Sequence, residues 1–338
     1  MRRAIELAVN GLGHVAPNPL VGCVIEHKDR IVAEGWHRQF GGPHAEVNAI
    51  LSAENAALLK DATLYVTLEP CAHYGKTPPC SSFIVKHEIP RVVIATVDPF
   101  SEVSGRGIAE LRKAGIDVRV GILREEAIHM NRRFLTNQLR KRPYIILKWA
   151  QSADGYMDME RKGEIGSFRI SGDDARRLTH RWRGEESAIL VGANTIVNDN
   201  PLLTCRYWEG KNPTRIVLDP NRKLKGTEKV FNSDAPTMWY TEESGSHNDA
   251  FYLPDMLERL LFKGITSVLV EGGKHTLEQF IGMNLWDEIR IFTSNTTLGN
   301  GLNAPKIMTK ATQFIQLEND TLGIYFNPNN SLSALFPN

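Results

Sequence analysis

Residues 68–80 read LEPCAHYGKTPPC, and the job given to its two cysteines decides what the first half of the chain can be. Cys71 and Cys80 are two of only four cysteines in 338 residues, too few for a disulfide framework. In a reducing compartment such a pair is more often metal-binding or catalytic. A third group lies upstream, in Pro43-His44-Ala45-Glu46. A histidine and a glutamate two apart at the start of a helix can both lean over one end of it.

H-x-E followed by a Pro-Cys and a second cysteine is the pattern of zinc-dependent nucleobase deamination, where the cysteines are usually spaced C-x-x-C. Here eight residues separate them. One imidazole and two thiolates give zinc three protein ligands and leave a fourth position for water, whose pKa the metal lowers. A carboxylate must then carry protons to the ring nitrogen and to the departing ammonia. His44, Cys71 and Cys80 are therefore expected as ligands, and Glu46 as a non-ligating general acid/base. Blander readings exist for each part: a solvated helix end, two buried core cysteines, or a closed structural site with His73 as fourth ligand. The combination of H-A-E, the strand TLYVTLE and two Pro-Cys pairs favours catalysis. Cys23 and Cys205 read as a buried strand residue and a loop residue. In the spacer AHYGKTPP, His73 and Lys76 could grip a phosphate or a ring carbonyl. Asn18, between two prolines in APNPLVG, could read a base or simply form a turn.

The chain is longer than one ordinary core, so two domains are expected. With 42% hydrophobic and 23% charged residues and a net charge of +1, it has a globular composition. That balance gives no reason to expect nucleic acid or an anionic membrane as partner. No apolar run approaches the roughly 20 residues that cross a bilayer. MRRAIELAVNGLGH carries Glu6 and Asn10 where a signal peptide would be apolar, and reads as an amphipathic helix; a cytoplasmic location is expected. A hairpin is expected at 21–37 around Lys28-Asp29, then a helix over 44–60, strands at 63–69, 91–98 and 116–123, helices after Pro79 and over 105–115, and one polar helix over 124–140. The basic Arg140-Lys141-Arg142-Pro143 marks a boundary near 143. A second series follows, with strands at 144–150, 187–191, 214–219, 266–271 and 288–293 and helices at 172–183, 254–263 and 274–283. Residues 241–250 read as a polar loop. Strand and helix alternate in both halves, which predicts an α/β architecture.

PNPLVGCVI, GWHRQFGGPHAEVNAI, LYVTLEPCAHYGKTPPC and VIATVDP together resemble the deaminase domain of the bifunctional riboflavin biosynthesis family. The long EPCxHxGKTPPC form is far more specific than the general deaminase pattern. The second half is similar to the family's reductase domain, in KWAQSADG, SFRISG, Arg176-Arg177, Arg183, LVGANTIVNDNPLLTCR and VLVEGG, in the family's order. The resemblance implies a cytidine-deaminase-like three-layer α/β/α domain over 1–143 and a dihydrofolate-reductase-like α/β domain over 144–338 that uses NADPH. On its own, the Gly272-Gly273 turn would not name that cofactor, and G-x-G-x-x-G is absent.

By resemblance, Ser167, Arg183, Leu203, Arg206 and Glu271 match substrate positions of the reductase. Gln151, Arg169, Thr195, Asp199 and the run Gly273, Lys274, His275, Thr276, Leu277, Glu278 and Gln279 match cofactor positions. Arginines at 183 and 206 suit a phosphorylated substrate. Arg169, Pro220 and Phe100 depart from residues common in the family. The implied function is zinc-dependent deamination of 2,5-diamino-6-ribosylamino-4(3H)-pyrimidinone 5′-phosphate, then NADPH-dependent reduction of the ribosyl chain. Pairing through the reductase domain is also implied. The rivals are another nucleoside or tRNA deaminase fused to an unrelated reductase, and a non-catalytic zinc protein.

Overall fold

Lys28 and Asp29 both take positive φ, 50° and 62°, the two-residue turn whose twist matches the strands it joins. The expected hairpin is therefore present. The structure is a computed structural model that describes residues 1–72, 78–99, 105–160, 166, 168–241 and 253–332. It separates into two units, Met1–Lys141 joined by Leu332, and Arg142–Ser331.

The first unit runs α1 (Arg2–Val9), β1 (Gly22–His27), β2 (Arg30–Trp36), α2 (Ala45–Leu51), β3 (Thr63–Val66), α3 (Cys80–Lys86), β4 (Arg91–Ile94), α4 (Arg106–Lys113), β5 (Asp117–Val120), α5 (Arg124–Met130) and α6 (Arg132–Arg140). Its sheet has the order β2-β1-β3-β4-β5. The β1 pairings are antiparallel and the β3-β4-β5 pairings parallel. Period-two alternation divides the strands between two faces. Cys23, Ile25, Leu64, Val66, Val92 and Ile94 meet α2, α3 and α4 on one, and Val24 and Tyr65 meet α1 on the other. The result is the three-layer α/β/α arrangement.

Two expected helices are broken, each for a local reason. The helix expected over 44–60 ends at Leu51, where the Ser52 hydroxyl donates back to the carbonyls of Ala49 and Glu34. A 3-10 turn over Ala56–Asp61 follows, capped by the Asn55 side chain. The helix expected over 124–140 splits at Asn131, whose buried amide bonds both the N–H and the carbonyl of Leu20 at 2.8 Å.

The second unit runs β6 (Tyr144–Gln151), β7 (Tyr156–Asp158), α7 (Asp173–Glu185), β8 (Ala188–Gly192), α8 (Ala193–Asp199), β9 (Thr214–Leu218), β10 (Thr237–Tyr240), α9 (Leu253–Phe262), β11 (Ser267–Val270), α10 (Lys274–Gly282), β12 (Glu288–Ser294), β13 (Leu302–Asn303), β14 (Gln313–Gln316) and β15 (Asp320–Phe326). Eight strands order as β10-β9-β8-β11-β6-β12-β15-β14, the first six parallel and the last two antiparallel; β7 and β13 form a separate ribbon. Helices α9 and α10 cover one face through Leu257, Leu277 and Phe280. Helix α7 covers the other through Ala175 and Trp182, with Trp182 stacked on Phe292 at 5.3 Å. Strands β7, β10, β13, β14 and β15 are additional to those expected from the sequence. No helix among the described residues is long and apolar enough to cross a membrane.

Candidate functional sites

His44 is the N-cap of α2, in extended backbone, and Glu46 lies in that helix's first turn. Cys71 follows β3, and Cys80 opens α3 after Pro79. The fold thus brings together the three ligands expected from sequence. His44 Nδ1 lies 3.2 Å from Cys80 Sγ and 3.6 Å from Cys71 Sγ. The three ligand atoms all lie within 4.8 Å of one another. One nitrogen and two sulfurs converging this way form a donor set that fits zinc and leaves room for a non-protein ligand. Hydrogen bonding from Cys80 and His44 draws the Cys71 thiol well below its ordinary range, and the Cys80 backbone N–H adds to this at 3.3 Å. A thiolate is the form that ligates.

Glu46 is 3% exposed, and among the described residues no lysine or arginine pairs with it. Burial pushes its carboxyl up to about 7, against the smaller opposing pull of His44. A carboxyl poised there can both take and give a proton near neutral pH. Asn18 also reaches this region, but through a residue that the sequence reading passed over. His37 Nδ1 faces the Pro43 carbonyl at 3.0 Å, so that nitrogen must donate. In the neutral ring Nε2 then accepts from the Asn18 amide at 3.1 Å. The carbonyl end of Asn18 remains available to a ligand. Only the short GWH at the end of β2 hints at His37. His73 and Lys76 lie outside the described residues, as do Ser167, Phe100 and most of the expected polar loop at 241–250.

In the second unit, an open cleft of about 1250 Å³ lies beside the turns that follow β8 and β11. Ligands of parallel sheets gather at such carboxyl ends. The Cβ that an alanine would place at Gly192 comes 2.7 Å from Thr276 Oγ1, and one at Gly273, where φ is +60°, comes 3.2 Å from Thr195 Oγ1. These two turns therefore form one bare backbone cradle, which suits a dinucleotide. Of the expected cofactor residues, Arg169, Thr195, Asp199, Gly273, Lys274, His275, Thr276, Glu278 and Gln279 line the cleft. Leu277 does not, because its position on α10 turns it into the core. Gln151 accepts from the Trp149 indole at 2.9 Å and is also absent from the lining.

Arg183, Arg206 and Glu271 line the same cleft, whereas Leu203 is buried in a core beneath α8. Arg183, expected at a substrate position, is held by partners within the protein. Its Nε and one terminal nitrogen bond the two Glu271 oxygens at 2.8 and 2.9 Å, and the other donates to the Thr204 carbonyl. Lys148 completes the cluster, 3.7 Å from Glu271. Burial raises the Glu271 pKa, but Arg183 and Lys148 outweigh it and hold the carboxyl at about 2. Lys148, Arg176, His180 and Tyr207 line the cleft and were missed as site residues. A signal existed for two of them: with Thr179 and Arg183, Arg176 and His180 make a polar stripe at helical spacing.

A model of the cytidine and deoxycytidylate deaminase zinc-binding region matches residues 1–96, and a model of the RibD C-terminal domain matches residues 143–324. The chain is 40% identical over 319 residues to the riboflavin biosynthesis protein RibD of Aquifex aeolicus, covering 90% of this chain and 88% of that one. A diaminohydroxyphosphoribosylaminopyrimidine deaminase/5-amino-6-(5-phosphoribosylamino)uracil reductase from Thermotoga maritima, a solved structure, matches with a TM-score of 0.85 at 39% identity, covering 96% of this chain and 97% of that one. RibD of Acinetobacter baumannii matches with a TM-score of 0.86 at 34% identity, with the same coverages. With a zinc triad in the first unit and a cofactor cradle in the second, the chain belongs to the RibD family, the bifunctional zinc-dependent deaminases and NADPH-dependent reductases of riboflavin biosynthesis.

Proposed function

We propose that the first unit deaminates 2,5-diamino-6-ribosylamino-4(3H)-pyrimidinone 5′-phosphate and that the second reduces the ribosyl chain of its product. The observation that carries the first step is a buried Glu46, with no lysine or arginine partner among the described residues, beside the His44–Cys71–Cys80 triad. Bound zinc supplies the Lewis acid that makes water nucleophilic near neutral pH. Glu46 takes one proton from the attacking water and passes it to the ring nitrogen as the C–O bond forms, then takes the second from the new hydroxyl and passes it to the amino group as the C–N bond breaks and ammonia leaves. Asn18, oriented by His37, accepts a hydrogen bond from the pyrimidine, and His73 and Lys76 contact the substrate's polar groups.

In the second unit, Arg169, Thr195, Asp199, Gly273, Lys274, His275, Thr276, Glu278 and Gln279, which line the cleft, hold NADPH. NADPH supplies the hydride. Ser167, Arg206 and the Arg183–Glu271 pair hold the substrate, so the protein's contribution is chiefly orientation. The boundary between the two domains falls near residue 143 of the sequence, the protein works in the cytoplasm, and it pairs through its reductase unit.

Glu46→Gln tests the first step. Zinc content is expected to stay at the wild-type level while deamination falls about 10²- to 10⁴-fold, the usual share of general acid–base catalysis. Wild-type deamination with zinc still bound would remove Glu46 from the mechanism.

A further inference from the structure

On the cleft face of α7, His180 has no role in the chemistry above. The residue is 3% exposed, yet it lines the cleft. Nδ1 accepts the backbone N–H of Arg206 at 2.9 Å, so in the neutral ring the proton sits on Nε2. Burial, with the charges of Arg183, Arg206 and Arg176 outweighing Glu271, lowers its pKa to about 4, so the ring is neutral under physiological conditions. Among the described residues Nε2 has no partner, and it is not one of the sealed, unsatisfied atoms. It is a donor of fixed tautomer with access to the cleft.

Its surroundings indicate what it would meet. The ring stands edge-on to Tyr207, with centroids 4.8 Å apart. The Arg176 guanidinium lies 4.1 Å from the centroid of the same phenol ring, and that of Arg206 lies 5.9 Å away. Arg206 forms no ion pair among the described residues. Arg176 has one contact with Asp173 at 3.0 Å, while its Nε is buried without a partner. Arg183, by contrast, has all three of its guanidinium nitrogens bonded, two to Glu271 and one to Thr204. Two guanidinium groups and a neutral N–H around one aromatic ring offer more donors than a carboxylate can use. They match the three terminal oxygens of a phosphate monoester.

We propose that His180 is a specificity-determining residue of the reductase, whose Nε2–H acts with Arg176 and Arg206 to receive the phosphate of the phosphorylated substrate. The proposal rests on the reading of this cleft as the reductase site. It also explains why a histidine suits the position. One ring nitrogen holds the Arg206 backbone in place while the other reaches the ligand.

Two near-isosteric variants of the full-length protein separate those tasks. In His180→Asn the side-chain oxygen can replace Nδ1 as acceptor for Arg206, but nothing reaches the Nε2 position. In His180→Gln the amide nitrogen can replace Nε2 as donor, and the Nδ1 contact is lost. With deaminated substrate supplied directly, His180→Asn is expected to raise its KM about 10- to 100-fold, the effect of losing a hydrogen bond to a charged group, with kcat nearly unchanged. The dissociation constant of ribose 5-phosphate should rise by a similar factor, while that of ribose stays put. His180→Gln should remain within about threefold of wild type in both measurements. The opposite order, with Gln impaired and Asn intact, would assign His180 to holding the backbone alone and overturn the proposal. So would equal impairment of both, or of neither. A KM increase confined to NADPH and absent with NADH would give the recess to the cofactor's phosphate, which also overturns it. If the wild-type protein does not oxidise NADPH with this substrate, the reductase reading fails instead, and ribose 5-phosphate binding still reports on His180.

Discussion

Glu271 shows at the scale of one residue how this chain makes a buried charge tolerable. Its carboxylate is desolvated, which by itself would favour the neutral acid, yet Arg183 and Lys148 hold it ionised. Its folded pKa of about 2 lies below the ordinary 4.5, so its contribution to stability is fully present above about pH 4.5. That contribution is lost as pH falls from there toward about 2. Glu271→Gln leaves two cations without their counter-charge, and a cost of about 3–5 kcal/mol at pH 7 is expected. Denaturant midpoints followed downward from pH 7 should show a flatter acid limb in the variant than in the wild type. A variant as stable as wild type, with the same acid limb, would show that the pair adds nothing. The cluster also marks a limit of sequence reading. Glu271 and Arg183 were both legible as binding residues, but 88 positions separate them, so their mutual pairing was not. The zinc residues were legible because each carries a motif of its own. His37 was not, because its role comes from two hydrogen bonds that only the fold creates.

At the scale of elements, the zinc ligand Cys71 depends on how α4 seats against the chain just before it. The Glu69 carboxylate accepts backbone N–H bonds from Asp98, Gly105, Gly107 and Ile108 at 3.0–3.3 Å, which ties the start of α4 to the end of β3. Gly107 allows that approach, because a Cβ there would lie 1.9 Å from the Pro70 carbonyl oxygen. Gly107→Ala must therefore push Pro70, and Cys71 with it, out of place. A loss of about 1–3 kcal/mol from overpacking is expected, together with weaker zinc retention on dialysis against a mild chelator. Unchanged zinc affinity would mean that the ligand tolerates this shift. The Gly107 contact was invisible in the sequence, where GRGIAELRKAG reads simply as an amphipathic helix. The broken helix at Asn131 was hidden for the same reason: periodicity reports which face is apolar, and says nothing of a side chain that reaches Leu20, 111 positions away. Strands β14 and β15 escaped because their alternation is diluted by Gln, Asp and Gly. The central parallel strands, apolar on both faces, stood out at once.

Each unit of the whole molecule carries a core of its own, one around Ile25, Leu64 and Ile94 and another around Leu147, Val270 and Phe280. Alternation of strand and helix made that division legible, since each half repeats a complete α/β pattern. The zinc triad lies wholly in the first unit, and the Arg183–Glu271–Lys148 cluster wholly in the second. A ligand that binds only the folded form stabilises the unit that binds it, so metal should stabilise the deaminase unit specifically. Removing zinc with a strong chelator is therefore expected to abolish deamination while NADPH oxidation with supplied deaminated substrate continues at its full rate. In calorimetry, the transition of the first unit should move to lower temperature and that of the second should stay in place, which breaks two-state behaviour for the chain. Adding zinc back should restore both the activity and the transition. If reduction instead declines in step with deamination as metal is withdrawn, the two units are coupled energetically, and the separate cores do not function as separate proteins.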